Sequence, residues 1–360
     1  MADRPAPSAE LSHLEPISIS RIGARAECET KWFLRYRLQE KPPADAHYFL
    51  IGTLIHECIE DYYNGLNDSP KKAAQSKIID EFTKRGVPRP QVIQAIAAAK
   101  SEKDLLARFR NGEILNPKGE PYSAPRMTKV WKQEAAALGL DRAQRELADV
   151  VVPGINLPEG GLIAMVSRVL DLIDRYEDKL LIKREWLEEI KPELGFDFVI
   201  EGVRFLGFMD LVAKVKPEHR SKFGGKSWIL VDYKTSKAKD LEVHAAAAHQ
   251  SLQLSLYHHV ITQELKLCGP NDLYMALHYL DATFAAETTR QPSDIDILIS
   301  AAKHYQSLPD SPGLVKRLFY DGNCGTCELR DACIKHFGHP TSACATSTVN
   351  TVNEEHDWSF

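Results

Sequence analysis

The sequence predicts an α/β protein in which a mixed sheet is flanked by helices, and three observations predict it. Between Phe196 and Tyr233 the chain carries β-type stretches separated by turn dipeptides. Amphipathic helical stretches precede and follow them, and a further β-type stretch, Leu273 to Leu280, comes after the second helical region. With 360 residues, 44% of them hydrophobic, the chain has room for one large domain or two ordinary ones, and for a core that needs no staples. The net charge of −5 supplies no global positive field. A protein that coats nucleic acid is thereby disfavoured, and any such surface must be a local patch helped by metal ions. No run of 18 apolar residues occurs, and Met1 to Glu10 lacks the charged-then-apolar order of a signal peptide, so a cytoplasmic protein without a membrane span is expected.

In chain order, residues 1–15 are polar and proline-bearing and read as a flexible N-terminus. Residues 16–64 form N-terminal helices. Ser18 or Ser20 caps a helix carrying Ile22, Cys28, Trp32, Phe33 and Tyr36, with Arg35 and Arg37 along its end. Trp32 and Phe33 fit either of two roles, stacking bases or packing a core. After Pro42-Pro43 a second helix runs from about Phe49 to Tyr63, with Gly52 and His56 one turn apart on one face. A glycine there lets a ligand or backbone approach the imidazole, although an ordinary helix histidine fits the same pattern. Residues 65–160 read as a helical insertion, rich in Ala, Lys, Gln and Glu and broken at Pro88-Arg89-Pro90 and Asn116-Pro117-Lys118-Gly119. Its Lys71, Lys72, Lys84, Arg85, Arg108 and Arg110 are solvated faces or contacts to a nucleic acid.

Residues 161–310 are the expected core. An amphipathic helix over 161–178 carries Ile163, Val166, Val169, Leu170 and Ile173. Phe196–Ile200, a Glu201-Gly202 turn, Val203–Val215, a Gly224-Gly225 turn and Trp228–Tyr233 then make an antiparallel meander. Ala245–Thr262 is predicted helical, Leu273–Leu280 a strand and 293–307 a last helix. Residues 311–337 hold a cysteine segment, and 338–360 read as a polar, flexible tail.

The meander carries the chemistry. It contains Gly207-Phe208-Met209-Asp210 and Leu230-Val231-Asp232-Tyr233-Lys234-Thr235. A period of two puts Asp232 and Lys234 on one face and Tyr233 on the other. Two carboxylates can neutralise a divalent cation that polarises a phosphoryl oxygen, while an ammonium orients water or screens developing charge, as a metal-dependent phosphodiesterase requires. Edge strands with solvated charges are the plainer account of the same residues. On the following helix Gln253 and Tyr257 are four apart and adjacent, able to bracket a phosphate or to hold Lys234.

The cysteines are Cys28, Cys58, Cys268, Cys324, Cys327, Cys333 and Cys344, an odd number in a chain with a good core, which argues against a secreted disulfide framework. Cys324-x2-Cys327-x5-Cys333 sits among Gly322, Asn323 and Gly325, where a loop can turn thiolates inward. Metal ligation suits that spacing better than redox exchange, and three sulfurs leave one position for another cysteine.

Read together, the order Cys, GxxxH, GxxD, DxK, QxxxY, CxxCx5C resembles the RecB-like branch of the PD-(D/E)XK nuclease superfamily, in particular its iron-sulfur members such as the AddB nuclease domain and the CRISPR-adaptation nucleases. The resemblance covers most of the chain. It implies a restriction-endonuclease-like core and a [4Fe-4S] cluster on Cys28, Cys324, Cys327 and Cys333 that clips the N- and C-terminal parts together, with zinc as the other occupant four thiolates suit. Cys28 precedes Cys324 by 296 positions, so the clip would close a very large loop. It further implies that His56, Asp210, Asp232 and the Tyr233 carbonyl hold Mg or Mn, that Lys234 is the catalytic lysine, and that Gln253 and Tyr257 form the branch's QxxxY motif. The branch has one more glutamate a strand upstream, for which Glu189 is the candidate and Glu185 the next, since Arg184 to Pro192 fits no clean strand period. Phe-Met-Asp stands where the superfamily's name has Pro-Asp. The expected activity is a deoxyribonuclease, an exonuclease on single-stranded or free-ended DNA in repair, recombination or replication. No GxxxxGK[ST] motif occurs, so unwinding would come from a separate helicase or recombination protein. The rival is a non-catalytic iron-sulfur subunit that binds DNA or docks a helicase, which would have no chemical need for Asp210, Asp232 and Lys234.

Overall fold

The computed structural model describes residues 14–42, 45–111, 113–116, 118–120, 124–237, 240–307 and 327–337. Its chain divides into two units, Met1–Pro43 with Ile182–Phe360, and Ala44–Leu181. Ser18 starts the first helix of the first unit, α1 (Ile19–Glu27), by accepting the Arg21 N–H at 3.4 Å. The single helix expected through Tyr36 is broken at Cys28, whose extended backbone (φ −159°, ψ 112°) separates α1 from α2 (Glu29–Tyr36). The break is satisfied locally: the Cys28 N–H closes on the Ala24 carbonyl, and its Sγ accepts the Lys31 N–H. Trp32 and Phe33 are buried, with Trp32 Nε1 donating to the Tyr305 hydroxyl at 2.6 Å and the Arg25 guanidinium 3.9 Å from its ring. Core packing accounts for both, and a base-stacking role is ruled out by their burial.

The second unit is helical: α3 (His47–Tyr63), α4 (Pro70–Lys84), α5 (Arg89–Arg110), α6 (Ala124–Ala137), α7 (Leu140–Leu147) and α8 (Gly161–Lys179), with a short parallel pair, β1 (Asp45–Ala46) and β2 (Ile155–Asn156). Proline residues begin rather than interrupt helices here, in the first turns of α4 and α5. The amphipathic α8 buries Leu162, Ile163, Met165, Val166, Val169, Leu172, Ile173 and Tyr176. Four of the basic residues singled out in the sequence are paired within the unit: Lys71 with Asp174 and Asp178, Lys72 with Asp68, Arg85 with Glu81, and Arg108 with Glu134. Such pairs stabilise little, and they fit solvated faces. This second unit groups α3 and α8 with the helices between them.

Back in the first unit, β3 (Leu187–Ile200), β4 (Val203–Val215), β5 (Trp228–Lys234), β6 (Leu273–Tyr279) and β7 (Phe284–Thr288) form a sheet in that order, parallel between β5 and β6 and antiparallel elsewhere. Helices α9 (Leu241–Gln250), α10 (Leu252–His259), α11 (Ile295–Ser307) and α12 (Arg330–Phe337) complete it. This is the predicted α/β class. Glu201 (φ 47°) and Gly202 (φ 82°) make the two-residue turn that joins β3 to β4. Where β5 no longer pairs with β4, Ile17 takes the edge, donating to the Arg204 carbonyl at 2.8 Å and accepting from the Leu206 N–H at 3.1 Å. Strand β3 starts nine residues earlier than the expected Phe196. A register shift between Leu187 and Glu189, Pro192, and a left-handed Glu193 (φ 47°) conceal its alternation.

The helix expected over Ala245–Thr262 is two helices and a π turn. Ser251 (ψ 108°) ends α9 and caps α10 through its Oγ, and Val260–Glu264 forms the π turn. Arg290, 5% exposed, compensates the break by donating to the carbonyls of Ala248 (2.7 Å) and Ser251 (3.1 Å) and to Ser255 Oγ (2.9 Å). A buried carbonyl left without a donor costs about 1–3 kcal/mol, so one guanidinium stabilises the re-aimed helix.

His278 on β6 is buried against the Tyr233 ring, and burial pushes its imidazole down to about 4. Above about pH 6.5 neither folded nor unfolded chain binds that proton. Below it the unfolded chain takes up a proton that the native site refuses, until the pH reaches about 4. We expect His278 to remove up to about 3 kcal/mol of stability across that window. Urea unfolding in chelator at pH 7 and pH 4.5 checks this, since His278→Leu should flatten the fall.

Candidate active site

Strand register builds the site. Pro192 pairs with Leu211 and Leu194 with Met209, which puts Glu193 opposite Asp210. Leu211 pairs with Val231, and one step further Asp210 stands opposite Asp232. Three carboxylates therefore lie in one row across β3, β4 and β5, strands about 4.8 Å apart. The β4/β5 ladder stops at this row, and Asp210 Oδ2 accepts the Tyr233 N–H at 2.7 Å in place of a backbone carbonyl. A carboxylate oxygen of Glu193 lies within 4.8 Å of one of Asp210. Glu193 holds φ 47°, a conformation that costs a non-glycine residue about 1 kcal/mol and that clusters at functional sites.

Glu189 and Glu185 are elsewhere. Glu189 sits four residues up the strand, paired with Lys191 at 2.6 Å, and Glu185 lies in a 3-10 turn (Arg184–Trp186), 3.7 Å from Lys183. Glu193 is the carboxylate the sheet brings to Asp210, and the signal for it was present in the sequence. A two-residue turn at Glu201-Gly202 fixes the pairing, and extending that register reaches Glu193 and Asp210 directly.

Lys234 is tied on two sides. Its Nζ is 2.8 Å from Asp232 Oδ2 and donates to Gln253 Oε1 at 3.2 Å. Gln253 Nε2 donates to the Tyr257 hydroxyl at 2.7 Å, which donates to the Phe208 carbonyl at 2.6 Å. The direction of this chain is fixed by its ends: an ammonium can only donate and a carbonyl only accept, so the intervening amide and phenol have one orientation. Of the two roles open to the QxxxY pair, holding Lys234 is the one the contacts support. Burial works against the charged form of Lys234, but the charges of Asp232 and Asp210 outweigh it and hold its ammonium above the usual lysine range. Burial, then the same two carboxylates, drive the Tyr257 phenol well above its usual value, so it stays a neutral donor. Gly207 has a packing reason. A Cβ there would meet the Phe196 ring at 2.7 Å, and that ring packs edge-on against Tyr257 at 5.8 Å.

Within the first unit the donors are three carboxylates beside one ammonium, with Asp232 buried, which fits a hard divalent cation. A profile of the PD-(D/E)XK nuclease superfamily matches residues 16–130 and 120–334, most of the chain. The chain belongs to the PD-(D/E)XK nuclease superfamily. No curated protein matches it significantly. Asp210 and the Asp232-x-Lys234 pair stand on neighbouring strands of the sheet, the disposition of acidic and basic groups from which the superfamily takes its name. Membership makes the chain a nuclease, and its mixed sheet flanked by helices is consistent with a restriction-endonuclease-like core.

His56 lies on α3 in the second unit, half-buried, one turn after Gly52. Cys28 separates α1 from α2, Cys327 precedes α12 and Cys333 lies within it, while Cys324 falls outside the described residues. Helix α12 packs on α2. Lys31 and Arg35 hold Glu328 at 3.3 and 3.5 Å, and Lys335 and His336 reach Glu40. Burial raises the Cys327 thiol, and Cys28 is near enough to add to the shift. Cys58 is buried in the second unit, its thiol pushed up to about 12 by burial.

Gly207→Ala should lower stability by about 1–3 kcal/mol through displacement of Phe196, read as a shift in the urea midpoint. Glu193→Asn relieves carboxylate crowding and tolerates the left-handed backbone. It should therefore unfold no earlier than the parent in chelator, and an earlier transition would contradict strain at this position.

Proposed function

We propose that this nuclease is a metal-dependent deoxyribonuclease that uses Mg or Mn and acts as an exonuclease on single-stranded or free-ended DNA, in repair, recombination or replication. The observation that carries the reading is the row of Glu193, Asp210 and Asp232, with Lys234 locked against Asp232. These three carboxylates, and the Tyr233 carbonyl at the end of the same strand, would hold the cation. His56, on the strength of the GxxxH resemblance, joins the proposed ligand set. When bound, the cation supplies Lewis acidity to the phosphoryl oxygen and lowers the pKa of water. Lys234 faces the same side of β5 as Asp232 and offers its ammonium to charge that develops on the phosphate. Gln253 and Tyr257 keep that ammonium from swinging away, because each is anchored by the next member of the chain ending at Phe208. Asp210 is oriented by the Tyr233 N–H, which fixes the carboxylate before substrate arrives.

For the cysteines we propose that Cys28, Cys324, Cys327 and Cys333 hold a [4Fe-4S] cluster with a structural role. The packing of α2 against α12 supports this by joining chain segments about 300 positions apart. Zinc is the alternative occupant, and iron analysis with the visible spectrum of anaerobically purified protein separates the two.

The parent should cut end-labelled DNA with Mg or Mn and not in chelator. Lys234→Ala should reduce the rate by roughly 100-fold or more with the fold and metal content of the cysteine site intact. Glu193→Gln should lose activity on a similar scale while Glu189→Gln retains it. The reverse ranking would return the upstream glutamate to Glu189, and an active Lys234→Ala would sink the assignment of the site. Cys28→Ser should lose iron and lower the thermal midpoint, and unchanged iron content would remove Cys28 from the ligand set.

A further inference from the structure

We propose that Phe49 and Tyr48 form a base-stacking platform for single-stranded nucleic acid, set along α3 from His56, an inference that rests on the nuclease reading above. Among the described residues these are the most exposed phenyl, phenol or indole rings, at 50% and 57%. The two centroids are 4.5 Å apart with the planes at 48°, so the rings present one continuous aromatic surface rather than scattered apolar atoms. The surface is held in place. Its helix turn begins at His47, whose Nδ1 lies 3.3 Å from the Asn156 carbonyl on β2, and the next residues, Leu50 and Ile51, are buried. The rings are therefore displayed by a packed helix, not by a loose end.

Their position gives the platform its occupant. On α3 the inward residues are Leu50, Ile51, Leu54, Ile55, Cys58 and Ile59. Phe49, Gly52 and His56 fall at i, i+3 and i+7 of the opposite side, about 10 Å from the first to the last at 1.5 Å per residue. Gly52 adds no side chain there, and the exposed Thr53 returns its hydroxyl to the Phe49 carbonyl at 3.1 Å. Under the reading above, a strand processed with the help of His56 would run along this side of α3 to the aromatic pair. Stacking on a protein ring needs an exposed base face, which a single strand offers along its length and a closed duplex does not. The platform has no hydrogen-bonding code of its own for base edges, so the recognition would tolerate sequence.

The test uses the full-length chain in chelator, so that nothing is cut, with a fluorescent oligo-dT, a blunt duplex closed by hairpins, and a strand carrying 2-aminopurine as stacking reporter. Phe49→Ala and Tyr48→Ala should each weaken oligo-dT binding by roughly 5- to 100-fold, and Phe49→Leu by a similar factor because it keeps the apolar surface but loses the ring. The slope of log affinity against log salt should not change, since no phosphate contact is removed. Hairpin-closed duplex affinity should be unaltered, and the 2-aminopurine quenching seen with the parent should be lost. Oligo-dT affinity of the double variant within twofold of a DNA-binding, DNA-cutting parent would overturn the platform and leave the nuclease reading standing. An equal loss for the closed duplex would also overturn it. A parent that neither binds nor cuts DNA would remove both readings together.

Discussion

Crowding three carboxylates onto one row of a sheet is the constraint on which the rest of the first unit depends. Glu193, Asp210 and Asp232 come from neighbouring strands, and like charges at that spacing oppose folding wherever water is excluded. The surrounding structure supplies the offsetting terms. Asp210 accepts a backbone N–H where the ladder ends, Asp232 is matched by the half-buried ammonium of Lys234, and Glu193 is kept in place by strand pairing on both sides of an unfavourable φ. Lys234 in turn needs a fixed direction, which Gln253 and Tyr257 give it. Those residues reach it because the chain breaks at Ser251, and Arg290 stabilises the break. The site is thus assembled from the sheet outward, each layer correcting a cost imposed by the one inside it.

Much of this was legible in the sequence, and the parts that were not have identifiable causes. Asp210, Asp232 and Lys234 stand out as charges set into the apolar runs of β4 and β5, with Asp232 and Lys234 two apart and so on one face, and the pairing of Gln253 with Tyr257 follows from helical spacing alone. The α/β class follows from the meander and its flanking helices. Glu193 was hidden because three local irregularities fall together: a register shift at Leu187/Glu189, a proline at 192 and a positive φ at 193. Each breaks the alternation that marks a strand. The two helix breaks, at Cys28 and Ser251, were invisible for a different reason. Both residues can continue a helix by propensity, and only the side-chain bonds each makes to the following turn reveal the cap. Strand β7 is five residues long and polar at one end, too short for periodicity to distinguish it from a loop.

The two ends of the described chain meet through polar contacts that are individually weak. Lys31 and Arg35 on α2 share Glu328, and Lys335 and His336 on α12 share Glu40, all on partly exposed side chains. Ion pairs of that kind set direction more than they bind. A shared ligand site on cysteines from both segments would give the closure a strength these pairs lack, since holding together positions so far apart in sequence works against a large loop entropy. The aromatic pair at the start of α3 adds a separate element: substrate contact carried by exposed rings on the helix that also bears His56.

The account stands on a cation bound by the carboxylate row. Crystals grown with Mn and measured at a wavelength where Mn scatters anomalously test it most directly. The account predicts one anomalous peak within coordination distance of Glu193, Asp210 and Asp232, lost in Asp232→Asn. A fully active preparation whose Mn peak lies away from those carboxylates, or persists among them in Asp232→Asn, would contradict it.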